Sequence, residues 1–111
     1  MAANPHVGEY FKLRVAFKQN GSISTLVPSG VALDISVVDE GTELFIDYRM
    51  PGGTWITVAA TYAGDGTDGL AEYPITTELT RAGLLEYRGR SPSVALGGNA
   101  ITDIATQQVD P

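Results

Sequence analysis

The 111-residue chain contains no cysteine, which excludes disulfide frameworks and thiolate metal sites and leaves packing as the source of stability. It has one histidine, His6, beside Pro5 in a terminal stretch where order is usually low. A hydrolytic triad needs a base held by its neighbours, so His6 reads as a solvated side chain. Basic residues are scarce: seven Lys and Arg stand against thirteen Asp and Glu, for a formal net charge of −6. Lys12, Arg14, Lys18, Arg49, Arg81, Arg88 and Arg90 are scattered, whereas phosphate recognition needs them clustered, so no nucleic-acid partner is expected. No apolar run approaches the ~18 residues that cross a bilayer, so no membrane partner is expected. Residues 1–6 lack both the basic and the apolar region of a signal peptide, which points to a chain that starts in a cytoplasm. Helix also lacks room. Thirteen Gly and six Pro punctuate the chain, and Thr76–Ala82 is the longest uninterrupted run of helical residue types.

What the chain has is alternation. Phe11, Leu13, Val15 and Phe17 interleave with Lys12, Arg14, Ala16 and Lys18, the period of a strand with one wet face. Gln19-Asn20-Gly21-Ser22 reads as a turn, Ile23–Val27 as a strand and Pro28-Ser29-Gly30 as its stop. Val31–Val38 alternates again, with Val31, Leu33, Ile35 and Val37 on one face. Glu43–Met50 places Leu44, Ile46 and Tyr48 opposite Phe45, Asp47 and Arg49. Both faces carry an aromatic residue, so the pattern leaves the inward face open. Met50-Pro51-Gly52-Gly53 is the clearest hairpin signal, leading to Thr54–Tyr62. A Gly/Asp loop follows at 64–69, then a strand at Leu70–Ile75. Thr76–Gly83 is a connection that can hold one helical turn capped by Thr77, and Leu84–Arg90 is a strand. Beyond Pro92 the residues are small and polar with isolated apolar side chains, and Val94–Leu96 has the length of a short strand.

About seven short strands with turns every 8–12 residues predict an all-β, antiparallel, immunoglobulin-like sandwich. Residues 1–8 read as an N-terminal arm, 9–91 as the sandwich domain and 92–111 as a C-terminal tail or linker, flexible until a neighbour supplies a surface.

Candidate chemistry is sparse. Asp65, Thr67 and Asp68 among glycines resemble part of a calcium loop, but Asp68 is out of phase and no Glu closes the spacing, so a hairpin loop is the better reading. Asp39, Glu40 and Glu43 form an acidic turn. Carboxylate catalysis needs a cleft that perturbs a pKa, and a solvated corner fits better. Trp55 fits core more readily than interface. Arg88-Gly89-Arg90 reads as a wet strand end able to meet acidic groups on a partner. No catalytic, cofactor-binding or metal site and no small-molecule substrate are expected.

The order of features over Thr42–Arg90 is recognisable, although its motifs are turn chemistry and alternation. The strand Glu43–Arg49 enters Pro51-Gly52-Gly53; a second strand and the Gly/Asp loop follow, then Gly69-Leu70-Ala71-Glu72-Tyr73. Leu79-Thr80-Arg81-Ala82-Gly83 leads into the last strand. This succession resembles the immunoglobulin-like domain at the N-terminus of phage upper-baseplate proteins, found also in short tail and virion proteins. It covers a little under half the chain. Where the family often has an aromatic two residues after Ala-Gly, Leu85 stands here and Tyr87 follows. The resemblance implies a non-enzymatic structural or adaptor protein of a virion, in tail or baseplate. Its partners would be other virion proteins and copies of itself, met through sheet edges and terminal arms. A capsid decoration protein is the nearest alternative, and a carbohydrate-binding or adhesin module a more distant one. Val94, Leu96, Ile101 and Ile104 are the expected apolar anchors of the tail on a partner, with Arg88 and Arg90 as polar contacts.

Overall fold

A computed structural model describes residues 3–19, 31–73 and 77–111. The turn and strand expected over 20–30 lie outside the described residues, as does Pro74–Thr76.

The first alternating run forms three short strands rather than one: β1 (Tyr10–Phe11), β2 (Arg14–Ala16) and β3 (Lys18–Gln19). Its face assignment holds, since Leu13, Val15 and Phe17 are buried and Phe11 packs beside them. Each segment pairs with a different strand. β3 meets β4 (Val31–Ala32), and the expected strand ends there. The next turn buries Ile35 and Val38, while Val37 is 59 % exposed. The three-residue spacing arises because the Asp34 carboxylate accepts from the Ser36 amide and Val38 N–H reaches the Ile35 carbonyl, closing turns where a strand would have run straight.

β5 (Phe45–Arg49) resolves which face points inward: Leu44 and Ile46 are fully buried, with Tyr48 packed against the core. Met50–Gly53 is the expected turn. Gly53 N–H reaches the Met50 carbonyl at 2.8 Å, and Gly52 has φ +73°, the geometry that a Pro-Gly type II turn requires. β6 (Ile56–Ala59) and β7 (Thr61–Tyr62) replace one expected strand, because the chain changes sheets at the buried Ala60. β8 (Leu70–Glu72) pairs with both β2 and β7. In place of the expected helical turn, β9 (Thr77–Glu78) pairs with β1, and no helix occurs among the described residues 77–83. β10 (Gly83–Ser91), nine residues long, is the backbone of the fold.

Residues 92–111 differ from the tail that their composition suggests. Val94–Leu96 is a 3-10 turn, capped by the Ser93 hydroxyl and ended at Gly97. β11 (Ala100–Ile101) and β12 (Ala105–Val109) both pair antiparallel with β10. β12 runs in register from Gly83↔Val109 to Tyr87↔Ala105. The isolated apolar side chains that looked too few to fold are those that reach the shared core: Leu96, Ala100 and Val109 are buried. The outer edge of β10 supplies the partner backbone that an isolated tail would lack. The N-terminal arm is held too, with Val7 N–H on the Asp110 carbonyl, Asp110 N–H on the Pro5 carbonyl and Gly8 N–H on the Leu79 carbonyl.

The architecture is therefore an all-β sandwich of antiparallel sheets. One sheet has the order β11-β10-β5-β6, with β12 also on β10; the other is β2-β8-β7, and β1-β9 and β3-β4 complete it. The sheets pack closely at Gly89, where a Cβ would lie 2.7 Å from both the Phe17 ring and Val15 Cγ2. The outer face of the larger sheet has no layer over it among the described residues.

Candidate functional site

That outer face is built by strand alternation. On β5 the odd positions Phe45, Asp47 and Arg49 point away from the core, and on β10 the even positions Leu84, Glu86, Arg88 and Arg90 do so. The register sets Arg88 opposite Asp47 and Glu86 opposite Arg49. β6 adds Thr57 opposite Asp47, with Trp55 just before its start. Opposite charges thus meet across neighbouring strands.

Asp47 is the hub. It is only 3 % exposed, on the sheet face that is not the core. Arg90 grips it with two nitrogens, Nε to Oδ2 at 3.1 Å and Nη2 to Oδ1 at 3.3 Å. Arg88 Nε reaches Oδ2 at 3.1 Å, and Thr57 Oγ1 donates to Oδ1 at 2.7 Å. Burial alone would push this carboxyl up. The hydrogen bonds from Arg90, Thr57 and Arg88 and the Arg90 charge more than offset that and hold it below the ordinary carboxylate value. Arg49 pairs separately with Glu86, Nε to Oε1 at 2.7 Å.

Trp55 lies among the guanidinium groups. The Arg49 and Arg88 carbons sit 4.7 and 4.9 Å from its ring centroid, and the Arg90 carbon lies 5.3 Å from that of Phe45. These are cation–π distances, and the stacking keeps long side chains flat on the sheet. Three guanidinium groups against two carboxylates leave this face one net positive charge on a chain of formal charge −6. Arg and Trp on a flat, half-buried surface are the residue types enriched in binding hot spots.

The expected contact residues divide. Arg88 and Arg90 belong to this cluster, and Ile101 pairs with Arg90 at its border. Leu96 is 2 % exposed and belongs to the core, so it is not an anchor for a partner. Val94 is 89 % exposed on the 3-10 turn. Ile104, partly exposed, lies beside a groove of about 180 Å³ lined by Arg14–Ala16, Thr102, Asp103 and Ala105, where β2 faces the β11–β12 connection.

Asp65 and Asp68 act as loop caps: Asp65 Oδ1 accepts from the Thr67 amide and hydroxyl, and Asp68 Oδ1 from the Leu70 amide. The Asp65 carboxyl is held below its ordinary value, first by the Thr67 hydroxyl and then by the Thr67 amide. Among the described residues no three His, Asp or Glu side chains gather as a metal site. His6 is exposed, its Nδ1 3.2 Å from the Pro111 carbonyl. Its backbone N–H takes the Glu9 carboxylate at 2.7 Å.

The sequence reading missed Asp47 and gave Trp55 to the core. The available signal was opposite charge at alternate positions of two strands: Asp47 and Arg49 on one, Glu86, Arg88 and Arg90 on the other. Compared with family models, curated proteins and solved structures, the chain matches none of them.

Proposed function

We propose that this chain is a non-enzymatic structural adaptor of a phage particle, in its tail or baseplate, and that it binds neighbours through the outer face of its larger sheet. The observation that carries the binding role is that face itself: Arg49, Arg88 and Arg90 laid over Trp55 and Phe45 with no layer above them among the described residues. Guanidinium groups held in place by Asp47 and Glu86 lose little freedom when a partner arrives, which lowers the cost of binding.

The virion setting rests on the likeness of Thr42–Arg90 to the upper-baseplate domain. The parts that carry that likeness are the Pro51-Gly52-Gly53 turn between β5 and β6, the Gly/Asp loop between β7 and β8, and Ala82-Gly83 before β10. They frame the strands that build the Arg/Trp face. The arms assigned to partner contact are part of the sandwich, so the face replaces them in the mechanism. A carbohydrate platform fits less well, since Tyr62 spends its hydroxyl on the Val38 carbonyl and Trp55 is flanked by arginines.

Gold-labelled antibody to the chain, applied to particles from cells that carry its gene and viewed by electron microscopy, tests the reading. Label on the tail or baseplate is expected. Label on the shell would move the chain to capsid decoration, and unlabelled particles would refute a virion role.

A further inference from the structure

The Arg/Trp face has a counterpart on the same chain. Asp34, Asp39, Glu40, Glu43, Asp65 and Asp68 gather at one end of the sandwich. Ile35 N–H on the Gly66 carbonyl at 2.9 Å ties the 64–69 loop to the 34–43 segment, and Tyr62 N–H donates to Glu40 Oε2 at 2.9 Å. The Tyr62 hydroxyl pKa is raised, by burial first and then by the charges of Glu40, Asp39 and Asp34, consistent with those carboxylates converging. No Lys or Arg occurs between residues 31 and 48 or between 50 and 80. Lys18, paired with Ala32, is at the margin. The four ion pairs among the described residues involve none of these six carboxylates. Arg90 stands at the end of its ladder nearest them, opposite Phe45, and its carboxylate partner is still Asp47.

We propose that the Trp55, Arg49, Arg88 and Arg90 face of one copy receives the acidic loop end of a second copy, so that the chain associates end to face. The argument is charge complementarity. The face sets three arginines against two carboxylates on an acidic chain, and the acidic end carries charge that forms no ion pair among the described residues. Because the two surfaces differ, the contact is heterologous. It repeats from copy to copy, closing into a ring or running on as a fibre. Only its location in a particle rests on the function proposed above; association in solution is independent of it.

Sedimentation of the purified full chain tests the contact. Self-association of the wild type is expected at about 50 mM salt and should weaken at least about tenfold at about 500 mM, where screening acts within a few ångströms. Two variants block one surface each. Asp39→Lys alters the acidic end at an exposed residue, and Ala59→Glu puts a carboxylate on the face opposite Phe45. Each alone should remain monomeric. Mixed in equal amounts, they retain one intact face and one intact end, so a one-to-one dimer that grows no further is expected. A wild type monomeric at low salt overturns the proposal. So does a blocked variant that associates like the wild type, or a mixture that stays monomeric.

Discussion

Cutting the chain after Ser91 should leave a polypeptide that does not fold, and the structure gives the size of the loss. The cut removes β11 and β12, and with them the Gly83–Tyr87 ladder and the Arg90–Ser91 pairs. It also removes Leu96 and Val109, both almost fully buried. Burying a Leu or Val side chain contributes roughly 1.5–3 kcal/mol, so these two together account for about 3–6 kcal/mol. Gly89 loses both of its bonds to Thr102: its N–H donates to Thr102 Oγ1 at 2.9 Å, and its carbonyl accepts from Thr102 N–H at 3.0 Å. A buried backbone group left unpaired costs about a further 1–3 kcal/mol. Domains of this size are stable by about 5–15 kcal/mol, so the loss consumes most or all of the margin. Circular dichroism and urea titration of the 1–91 fragment should show no cooperative transition. In the full chain, amides of 105–109 should exchange as slowly as those of β10. A fragment that unfolds cooperatively near the full-length midpoint would refute the reasoning and restore 92–111 to a dispensable tail.

Four substitutions test the rest of the packing. Gly69→Ala puts a Cβ 2.4 Å from the Phe17 carbonyl oxygen and 2.8 Å from that of Leu33, at φ +78°, so urea titration should read a loss of about 3 kcal/mol or more. Leu96→Ala should cost about 2–5 kcal/mol, and Val94→Ala, two residues away but exposed, less than about 0.5 kcal/mol, compared by thermal melts. Asp47 has a lowered folded pKa, so its contribution is complete above the ordinary value of 3.8 and is lost as pH falls through the lower folded value. Asp47→Asn should cost about 3 kcal/mol at neutral pH by leaving two arginines without a counter-charge, and should abolish this component of acid unfolding in a pH-resolved denaturation series.

The all-β class was legible because alternation survives even where strands break. Leu13, Val15 and Phe17 point inward although β1, β2 and β3 pair with three different partners. Period two records which face is wet, and it is silent about which neighbour takes the backbone hydrogen bonds. For the same reason Thr54–Tyr62 read as one strand: the change of sheet at Ala60 alters the partner and leaves the pattern almost untouched. The C-terminal segment failed in the opposite direction. Its apolar residues are too sparse to form a core of their own, and a local reading counts only what a segment buries by itself. Leu96, Ala100 and Val109 are instead buried in one core cluster with residues as distant in sequence as Leu13.

The charged face was legible only as fragments, because its chemistry depends on register. Asp47 and Arg88 are forty-one residues apart, and only the pairing of β5 with β10 sets them opposite each other. The same register explains why the face stays positive although the chain is acidic. A carboxylate on β5 opposite an arginine on β10 would be balanced one to one, but Gly89 intervenes between two arginines on the same side of β10. Both turn to the single carboxylate opposite, two residues apart as strand geometry sets them, while Gly89 between them lets Phe17 and Val15 pack close from the core side. A larger residue at 89 would push β10 away from β2 and disturb the grip of Arg88 and Arg90 on Asp47, so the core contact and the binding face are set by one position.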